Sequence, residues 1–106
     1  MRNTLQHGAM LLAIGALTVS GALAQTENPN AGRDLAAACS NCHGTNGVSR
    51  SEVPSIAGRA AFVTTAIMRE FRDGKRVATI MHQIAKGYTD EQIGLISAYF
   101  ATQKAK

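Results

Sequence analysis

The chain has 106 residues, with 11 Lys and Arg against 7 Asp and Glu and only two cysteines. This length allows one domain. The net charge of +4 is scattered along the chain, whereas nucleic-acid-binding domains concentrate basic residues in a dense patch, so the composition argues against a nucleic-acid partner. Both cysteines lie in one short motif, so no disulfide can join distant parts of the chain.

Residues 1–24 have the pattern of a secretory signal peptide. Arg2 supplies a short positive start, residues 9–23 form an almost uncharged apolar run, and residues 22–24 (Ala-Leu-Ala) are a small-residue cleavage site. The apolar run is shorter than the ~20 residues that a membrane span needs. We therefore expect export to the periplasm, cleavage after Ala24 and no membrane span in the mature chain. An uncleaved anchor is the alternative.

The predicted mature chain is residues 25–106, in which residues 25–30 form a flexible lead-in and residues 31–106 form the domain. A domain of this size gains only marginal stability from a hydrophobic core alone. Three Phe, two Tyr and no Trp are few aromatic residues for a chain that must bury itself unaided. A bound apolar group could therefore complete the core.

The first predicted helix covers residues 32–38, with Asn30 as its N-cap, and runs into residues 39–43, Cys-Ser-Asn-Cys-His. This is the attachment pattern of a c-type haem. Cys39 and Cys42 would form thioether bonds to the two vinyl groups of one porphyrin, while the imidazole of His43 reaches the iron. We therefore predict one covalently bound haem c.

Other uses of this motif are less consistent with the sequence. A structural zinc site needs four ligands, and the chain has no second Cys or His cluster to complete one. A thioredoxin-like redox pair would lie in a βαβ pattern, which is missing from the sequence. A non-haem disulfide or redox-active Cys-x-x-Cys pair remains as an alternative.

Residues 44–58 contain three Gly and one Pro and have no sustained periodicity, which predicts a loop. A loop of this length in a small domain is usually functional or wrapped on a bound group, so we expect Val53, Pro54 and Ile56 to cover porphyrin. A backbone carbonyl near Pro54 could accept a hydrogen bond from His43 Nδ1 and direct Nε2 to the iron. A plain turn proline is the alternative.

Three further helices are predicted downstream of this loop. The second helix covers residues 60–72, the third covers residues 77–86, and the fourth begins after Thr89, which can form a capping box with Gln92 and extends to about residue 103. No alternating strand pattern occurs, so we predict an all-α fold of about four short helices around one cofactor. In the second helix, one half of the helical wheel carries the apolar residues Phe62, Val63, Ala66, Ile67 and Phe71.

A haem that shuttles single electrons should have a second axial ligand, and a thioether raises its potential. Met68 lies on the polar half of its predicted helix, which indicates a peripheral packing residue. Met81 lies well downstream, flanked by chain able to fold across the distal face, so we predict Met81 as the ligand. His82, more simply a surface or propionate-side histidine, and an open distal site are the alternatives.

Four basic residues lie close together in the last turn of the second predicted helix and just after it, with one acidic residue, Asp73, among them. Most such runs are solvated surface, but a docking patch for an electron-transfer partner is the alternative, because such encounters are steered by charge. The cluster consists of Arg69, Arg72, Lys75 and Arg76.

The chain resembles the class I cytochromes c over nearly its whole mature length, and more narrowly the cytochrome subunits of flavocytochrome c sulfide dehydrogenases. Four stretches carry the resemblance: residues 39–44 (C-S-N-C-H-G), 54–57 (P-S-I-A), 79–81 (T-I-M) and 84–89 (I-A-K-G-Y-T).

The resemblance implies a small class I cytochrome c fold with His43 and Met81 as the axial ligands. It also implies that the Pro54 carbonyl holds the His43 ring. Gly32 would lie where the first and last helices cross, near Tyr99.

In that family a separate FAD-bearing subunit oxidises sulfide to sulfur and passes electrons singly to the cytochrome, which delivers them to a soluble acceptor. This chain has no Gly-x-Gly-x-x-Gly fingerprint, so the flavin would lie in a partner and the chain would not be an enzyme by itself. Some family members carry two haem domains, whereas this chain has one motif. A freestanding carrier, a partner of another periplasmic dehydrogenase, and a ligand-binding or peroxidase-like haem protein therefore remain alternatives.

Overall fold

A computed structural model describes residues 28–106, so the predicted signal peptide and its cleavage site lie outside the described residues. No strand occurs within residues 28–106, and the helical elements confirm the predicted all-α fold. The first three elements follow one another without a break, so residues 28–106 contain four helical segments and one separate 3-10 turn. In chain order the elements are α1 (Ala31–Ala36), a 3-10 turn (Ala37–Cys39), α2 (Ser40–His43), a second 3-10 turn (Thr45–Gly47), α3 (Ala61–Arg72), α4 (Met81–Ala85) and α5 (Asp90–Ala101).

Helices α1 and α5 cross at Gly32. A Cβ atom at this position would lie 2.7 Å from the carbonyl oxygen of Leu95 and 3.5 Å from Cβ of Tyr99, so the two backbones approach more closely than a side chain would allow. The crossing near Tyr99 is thus as expected. One turn further along, Ala36 packs with Ile96 and Phe100 in a buried apolar cluster, which we call the first cluster.

A second cluster lies where α3, α4 and α5 meet. It consists of the buried residues Met68, Ala85 and Ile93, with Phe71 and Met81 partly buried against it. The expectation that Met68 is peripheral was wrong, because only 8% of this residue is exposed. Its side chain joins three helices.

The buried face of α3 also differs from the predicted one. Thr64 and Met68 are buried, whereas Phe62, which the helical wheel placed on the interior half, is 77% exposed. Apolar residues occupy so much of the circumference of α3 that the wheel does not define a single face. Packing against Ala85 and Ile93 selects the face that carries Met68.

The capping box predicted at the start of α5 is confirmed. Thr89 Oγ1 accepts a hydrogen bond from the backbone N–H of Gln92 at 3.2 Å, and Gln92 Oε1 accepts one from the backbone N–H of Thr89 at 2.9 Å. Asn30 occupies the N-cap position of α1, but its side chain makes no capping hydrogen bond. Instead, Asn28 Oδ1 accepts a bond from the backbone N–H of Asn30.

Helix α4 is shorter than predicted. It begins at Met81 rather than at residue 77, because Ile80 has a φ of −138°, outside the helical range. Val77, fully exposed, belongs to the irregular segment before the helix. β-Branched residues at 77, 79 and 80 have weak helix propensity, and no tertiary contact compensates at the exposed Val77. Met81 therefore stands at the first turn of the helix.

Replacing Ser97 by alanine should stabilise the protein. Ser97 is 0% exposed in α5, and its hydroxyl finds no hydrogen-bond partner among the described residues. Losing a buried unpaired hydroxyl and gaining helix propensity should raise the free energy of unfolding by about 0.5–1 kcal/mol in a denaturant titration of the haem-loaded protein. In the control, Thr89→Ala, loss of the capping bond should lower the free energy of unfolding by about 1 kcal/mol. A clear loss of stability in Ser97→Ala would show that the hydroxyl is paired in solution.

Candidate functional site

The Cys-Ser-Asn-Cys-His motif lies on one continuous stretch of helical backbone. Cys39 ends the first 3-10 turn, and Cys42 and His43 belong to α2. Residues three apart on a helix lie on the same face, so the two cysteines point to the same side of this segment. Cys39 packs partly buried against the first cluster, while Cys42 is exposed, and neither forms a disulfide. The two thiols are thus held close together by local structure alone.

Burial is the main influence on the Cys39 thiol. It raises the pKa of Cys39, a backbone hydrogen bond acts in the opposite direction, and charge on Cys42 raises the pKa further. The neutral thiol is therefore favoured over the thiolate that a metal would require. Across residues 28–106, no three His, Cys, Asp or Glu side chains are grouped as metal ligands would be. The motif therefore offers two free thiols for thioether bonds, with no cluster of metal-ligand side chains in this part of the chain.

The ring of His43 is fixed by the loop that follows it. His43 Nδ1 lies 2.7 Å from the backbone carbonyl oxygen of Pro54. A carbonyl oxygen only accepts hydrogen bonds, so Nδ1 carries the proton and donates it. The lone pair then resides on Nε2, which is the atom that a haem iron would bind. The structure brings His43 and Pro54 together in the way the sequence suggested.

Gly47 folds the loop back so that Pro54 reaches His43. Its carbonyl oxygen accepts hydrogen bonds from the backbone N–H groups of Ile56 at 2.8 Å and Ala57 at 3.1 Å. Gly47 has a φ of +79°, and a Cβ there would lie 2.7 Å from Cδ1 of Phe100, so only glycine fits. Ile56, expected to cover porphyrin, packs against the first cluster.

A contact that the sequence does not predict anchors the start of this loop to α5. The hydroxyl of Tyr99 donates to Oδ1 of Asn46 at 3.1 Å, and Asn46 has a φ of +55°. Asparagine tolerates this left-handed conformation better than most residues. The Asn-Gly pair at 46 and 47 is a turn signal, but no sequence feature links it to Tyr99.

Met81 is the first residue of α4 and lies partly buried against the second cluster. Tyr88 packs against both clusters and so connects the region of Met81 with that of Cys39. Met68, the other methionine of the described chain, is buried within the second cluster. The structure therefore joins Cys39 to one cluster and Met81 to the other.

The surroundings of Met81 fit a large apolar group. Ile80 is 54% exposed, and Val77 and Phe62 are more exposed. Ile80 and Val77 precede α4, and Phe62 lies in α3, which packs against α4. Nδ1 of His82 is buried and has no hydrogen-bond partner among the described residues. A porphyrin, apolar over its ring, would cover such exposed apolar side chains.

The basic cluster after α3 is largely neutralised. Asp90, at the start of α5, lies 2.8 Å from Arg72 Nη1 and 3.2 Å from Arg69 Nε, and Arg76 pairs with Glu70 at 2.7 Å. The hydrogen bond from Arg72 lowers the pKa of Asp90, so the pairs of Asp90 with Arg72 and Arg69 persist at neutral pH and weaken only as pH falls through that lowered value. A docking role for the whole cluster is correspondingly disfavoured.

No family model matches the chain. The chain is 43% identical over 76 residues to the cytochrome subunit of sulfide dehydrogenase from Chlorobaculum tepidum, which covers 71% of this chain and 68% of that protein. It is 35% identical over 78 residues to cytochrome c-554(548) from Halomonas halodenitrificans, covering 70% of this chain and 94% of that protein. The chain belongs to the class I cytochromes c.

A third relative of this class I cytochrome c is cytochrome c4 from Pseudomonas aeruginosa, 32% identical over 97 residues that cover 91% of this chain and 47% of that protein. The class I cytochrome c therefore carries haem c, for which Cys39 and Cys42 have the required spacing. Its function is to carry electrons. In the part of the cytochrome that the structure describes, no helix is long and apolar enough to cross a membrane.

Proposed function

We propose that this cytochrome is a periplasmic mono-haem electron acceptor for a flavoprotein, and that it serves as the cytochrome subunit of a sulfide dehydrogenase. The observation that carries the proposal is the 43% identity to a protein of that name, over two thirds of that protein's length. By itself the chain would carry electrons and catalyse no reaction. Residues 1–24 would direct export and be removed.

The residues of the site have distinct roles in this proposal. Cys39 and Cys42 would hold the haem by thioether bonds, and His43, through Nε2, and Met81 would bind its iron. When bound, the haem supplies a one-electron couple between ferric and ferrous iron. The Pro54 carbonyl keeps the His43 ring in one orientation and tautomer, which limits reorganisation when charge changes.

Two axial protein ligands also decide what the site excludes. With both His43 and Met81 as ligands, the haem would not bind oxygen or another small ligand. A thioether donor raises the reduction potential relative to a second imidazole, so the cytochrome accepts electrons readily. This arrangement suits a carrier rather than a peroxidase-like protein.

The proposed electron balance requires a flavin in the partner. Oxidation of HS⁻ to sulfur releases one proton and two electrons, and a flavin can receive both and pass them on singly. The chain has no Gly-x-Gly-x-x-Gly fingerprint, so the FAD belongs to the other subunit. Two successive encounters or two cytochromes would then accept the two electrons, and a soluble acceptor would remove them.

Electron transfer from another dehydrogenase is the second candidate function. A relative from Stutzerimonas stutzeri, 30% identical over 92 residues that cover 42% of that protein, is named a thiosulfate dehydrogenase electron acceptor. Such a cytochrome would move between partners rather than stay bound to one subunit. The two functions therefore differ in both the donor and the stability of the complex.

Purification of the native protein at low ionic strength tests the proposal. We expect a flavin-containing polypeptide to co-elute, and sulfide to reduce the haem of this fraction much faster than the haem of the isolated cytochrome. Thiosulfate should reduce neither. A cytochrome that elutes alone and is reduced at the same slow rate by sulfide with or without the other fractions would contradict the subunit assignment.

A further inference from the structure

The positive charge of the described chain is concentrated once ion pairs are taken into account. Arg33, Arg69, Arg72 and Arg76 each pair with a carboxylate within residues 28–106. The remaining basic side chains form no ion pair in this part of the chain, and they are Arg50, Arg59, Lys75, Lys86, Lys104 and Lys106. The uncompensated charge therefore does not lie where basic residues are densest in the sequence.

Three of these uncompensated cations line one surface recess of about 820 Å³. Arg50 comes from the loop after the haem motif, and Lys104 and Lys106 come from the segment after α5. No carboxylate side chain lines the recess. We call Arg50, Lys104 and Lys106 the recess patch. Glu52 is the acidic residue of the same loop, and it does not line the recess.

The two segments that form the recess patch are held against each other. The backbone N–H of Gly58 donates to the carbonyl oxygen of Phe100 at 2.9 Å, and a Cβ at Gly58 would lie 3.0 Å from Cβ of Ala105. Thr102, directly after α5, donates from Oγ1 to the carbonyl oxygen of Tyr99 at 2.7 Å. The end of the loop that carries Arg50 is thus held against the segment that carries Lys104 and Lys106.

The recess also borders the haem attachment segment. Ser40, between the two cysteines, and Gly44, directly after His43, line it together with the recess patch. A protein docked here would lie beside the residues that carry the haem, and short separations favour electron transfer. Opposite charge on such a partner would increase the rate of encounter without requiring a large interface.

We infer that the recess patch is the docking surface for an acidic protein surface on the electron donor. This inference rests on the proposed electron exchange with a flavoprotein and assigns that exchange to one face. The other lining side chains are mainly polar and include Thr45, Asn46 and Gln103. Membrane surfaces bind basic residues combined with exposed apolar side chains. The large exposed apolar residues within 28–106, such as Phe62, do not line the recess.

Two variants with equal charge change test the assignment. R50Q/K104Q removes two charges from the recess patch, and K75Q/K86Q removes two exposed, uncompensated charges outside it. Both variants are prepared with haem attached, and thermal unfolding should confirm that they keep wild-type stability. Any difference between them in association then depends on where the charge lies, because the net charge is the same.

Stopped-flow reduction by an acidic flavodoxin hydroquinone provides the first measurement. One electron leaves the hydroquinone, which becomes the semiquinone, and reduces ferric haem to ferrous. At low ionic strength we expect R50Q/K104Q to lower the second-order rate constant by about tenfold and K75Q/K86Q by less than about twofold. The difference should nearly vanish at high salt, where exposed charges are screened. Equal losses in both variants, or no loss in R50Q/K104Q, would overturn the assignment.

Binding is measured separately with oxidised flavodoxin, which donates no electron. Amide resonances of residues 50 and 102–104 in the haem-loaded protein should shift on titration, and these shifts should weaken in R50Q/K104Q. Shifts at these residues without reduction of the haem by the hydroquinone would support the docking surface and contradict the proposed function. Reduction of the haem at equal rates in the wild type and both variants would support the proposed function and contradict the docking surface. Loss of binding to phosphatidylglycerol vesicles in R50Q/K104Q, with unchanged flavodoxin kinetics, would identify a lipid site and overturn the inference.

Discussion

Met81→Ala should remove the second axial ligand of the haem. We expect the thioether charge-transfer band at the red end of the oxidised spectrum to disappear and the reduced protein to bind carbon monoxide rapidly. The midpoint potential should fall by on the order of 0.1 V, within the range of about 0.8 V that axial ligands span. Absorption spectroscopy and a redox titration of the haem-loaded variant measure these changes.

Two controls separate ligation from packing and from the rival ligand. Met68→Leu keeps the volume of a buried residue of the second cluster and should retain the band and the potential. His82→Asn should also retain both, because its neighbour Met81 would still reach the iron. If Met81→Ala retained the band and His82→Asn changed the spectrum, His82 rather than Met81 would be the ligand.

The haem attachment residues could be predicted because their relation is local. Cys39 and Cys42 are three residues apart on a helix, so the sequence spacing already sets their geometry. The contact of His43 with Pro54 spans eleven residues and depends on the fold-back at Gly47, so the sequence allowed it without requiring it. Tyr88 joins the cluster of Cys39 to the cluster of Met81, a contact that no local pattern specifies. Met81 as the second ligand stays a prediction.

The packed face of α3 and the start of α4 could not be predicted for the same physical reason. An apolar residue on a helix indicates that something covers it, but the wheel does not distinguish a neighbouring helix from a cofactor. Met68 packs with Ala85 and Ile93, while Phe62 remains largely free of protein contacts. A chain that buries a cofactor needs apolar residues on more than one face, so periodicity alone is ambiguous.

The distribution of unpaired surface charge could not be predicted from the sequence either. Along the sequence, Arg69, Arg72 and Arg76 form the densest basic stretch, but Asp90 folds onto the first two from a helix that begins far downstream. The recess patch, by contrast, combines Arg50 with Lys104, which are distant in sequence. Surface electrostatics depends on which segments the fold brings together, so counting charges along the chain does not show which basic residues stay unpaired.

Gly32→Ala should destabilise the protein although alanine favours helices over glycine. The added Cβ would lie 2.7 Å from the carbonyl oxygen of Leu95, and backbone on both sides leaves no flexible side chain to move away. Helices α1 and α5 would have to separate, which would loosen the packing of Ala36 against Phe100. We expect the free energy of unfolding to fall by about 1–3 kcal/mol, as for overpacked sites generally. Denaturation of the haem-loaded protein by guanidinium chloride, followed by circular dichroism, measures the change.

Gly94→Ala is the matched control for this substitution. Gly94 lies within α5, where an added Cβ would meet no atom within 4 Å, so the methyl group should cost nothing sterically. Its higher helix propensity should raise the free energy of unfolding by about 0.5–1 kcal/mol. The same chemical change would then have opposite effects at two glycines, and the difference would measure the close approach of α1 to α5. Equal stabilisation in both variants would show that the helices cross with more space than the structure gives them, and that Cys39 is not held in place by this crossing.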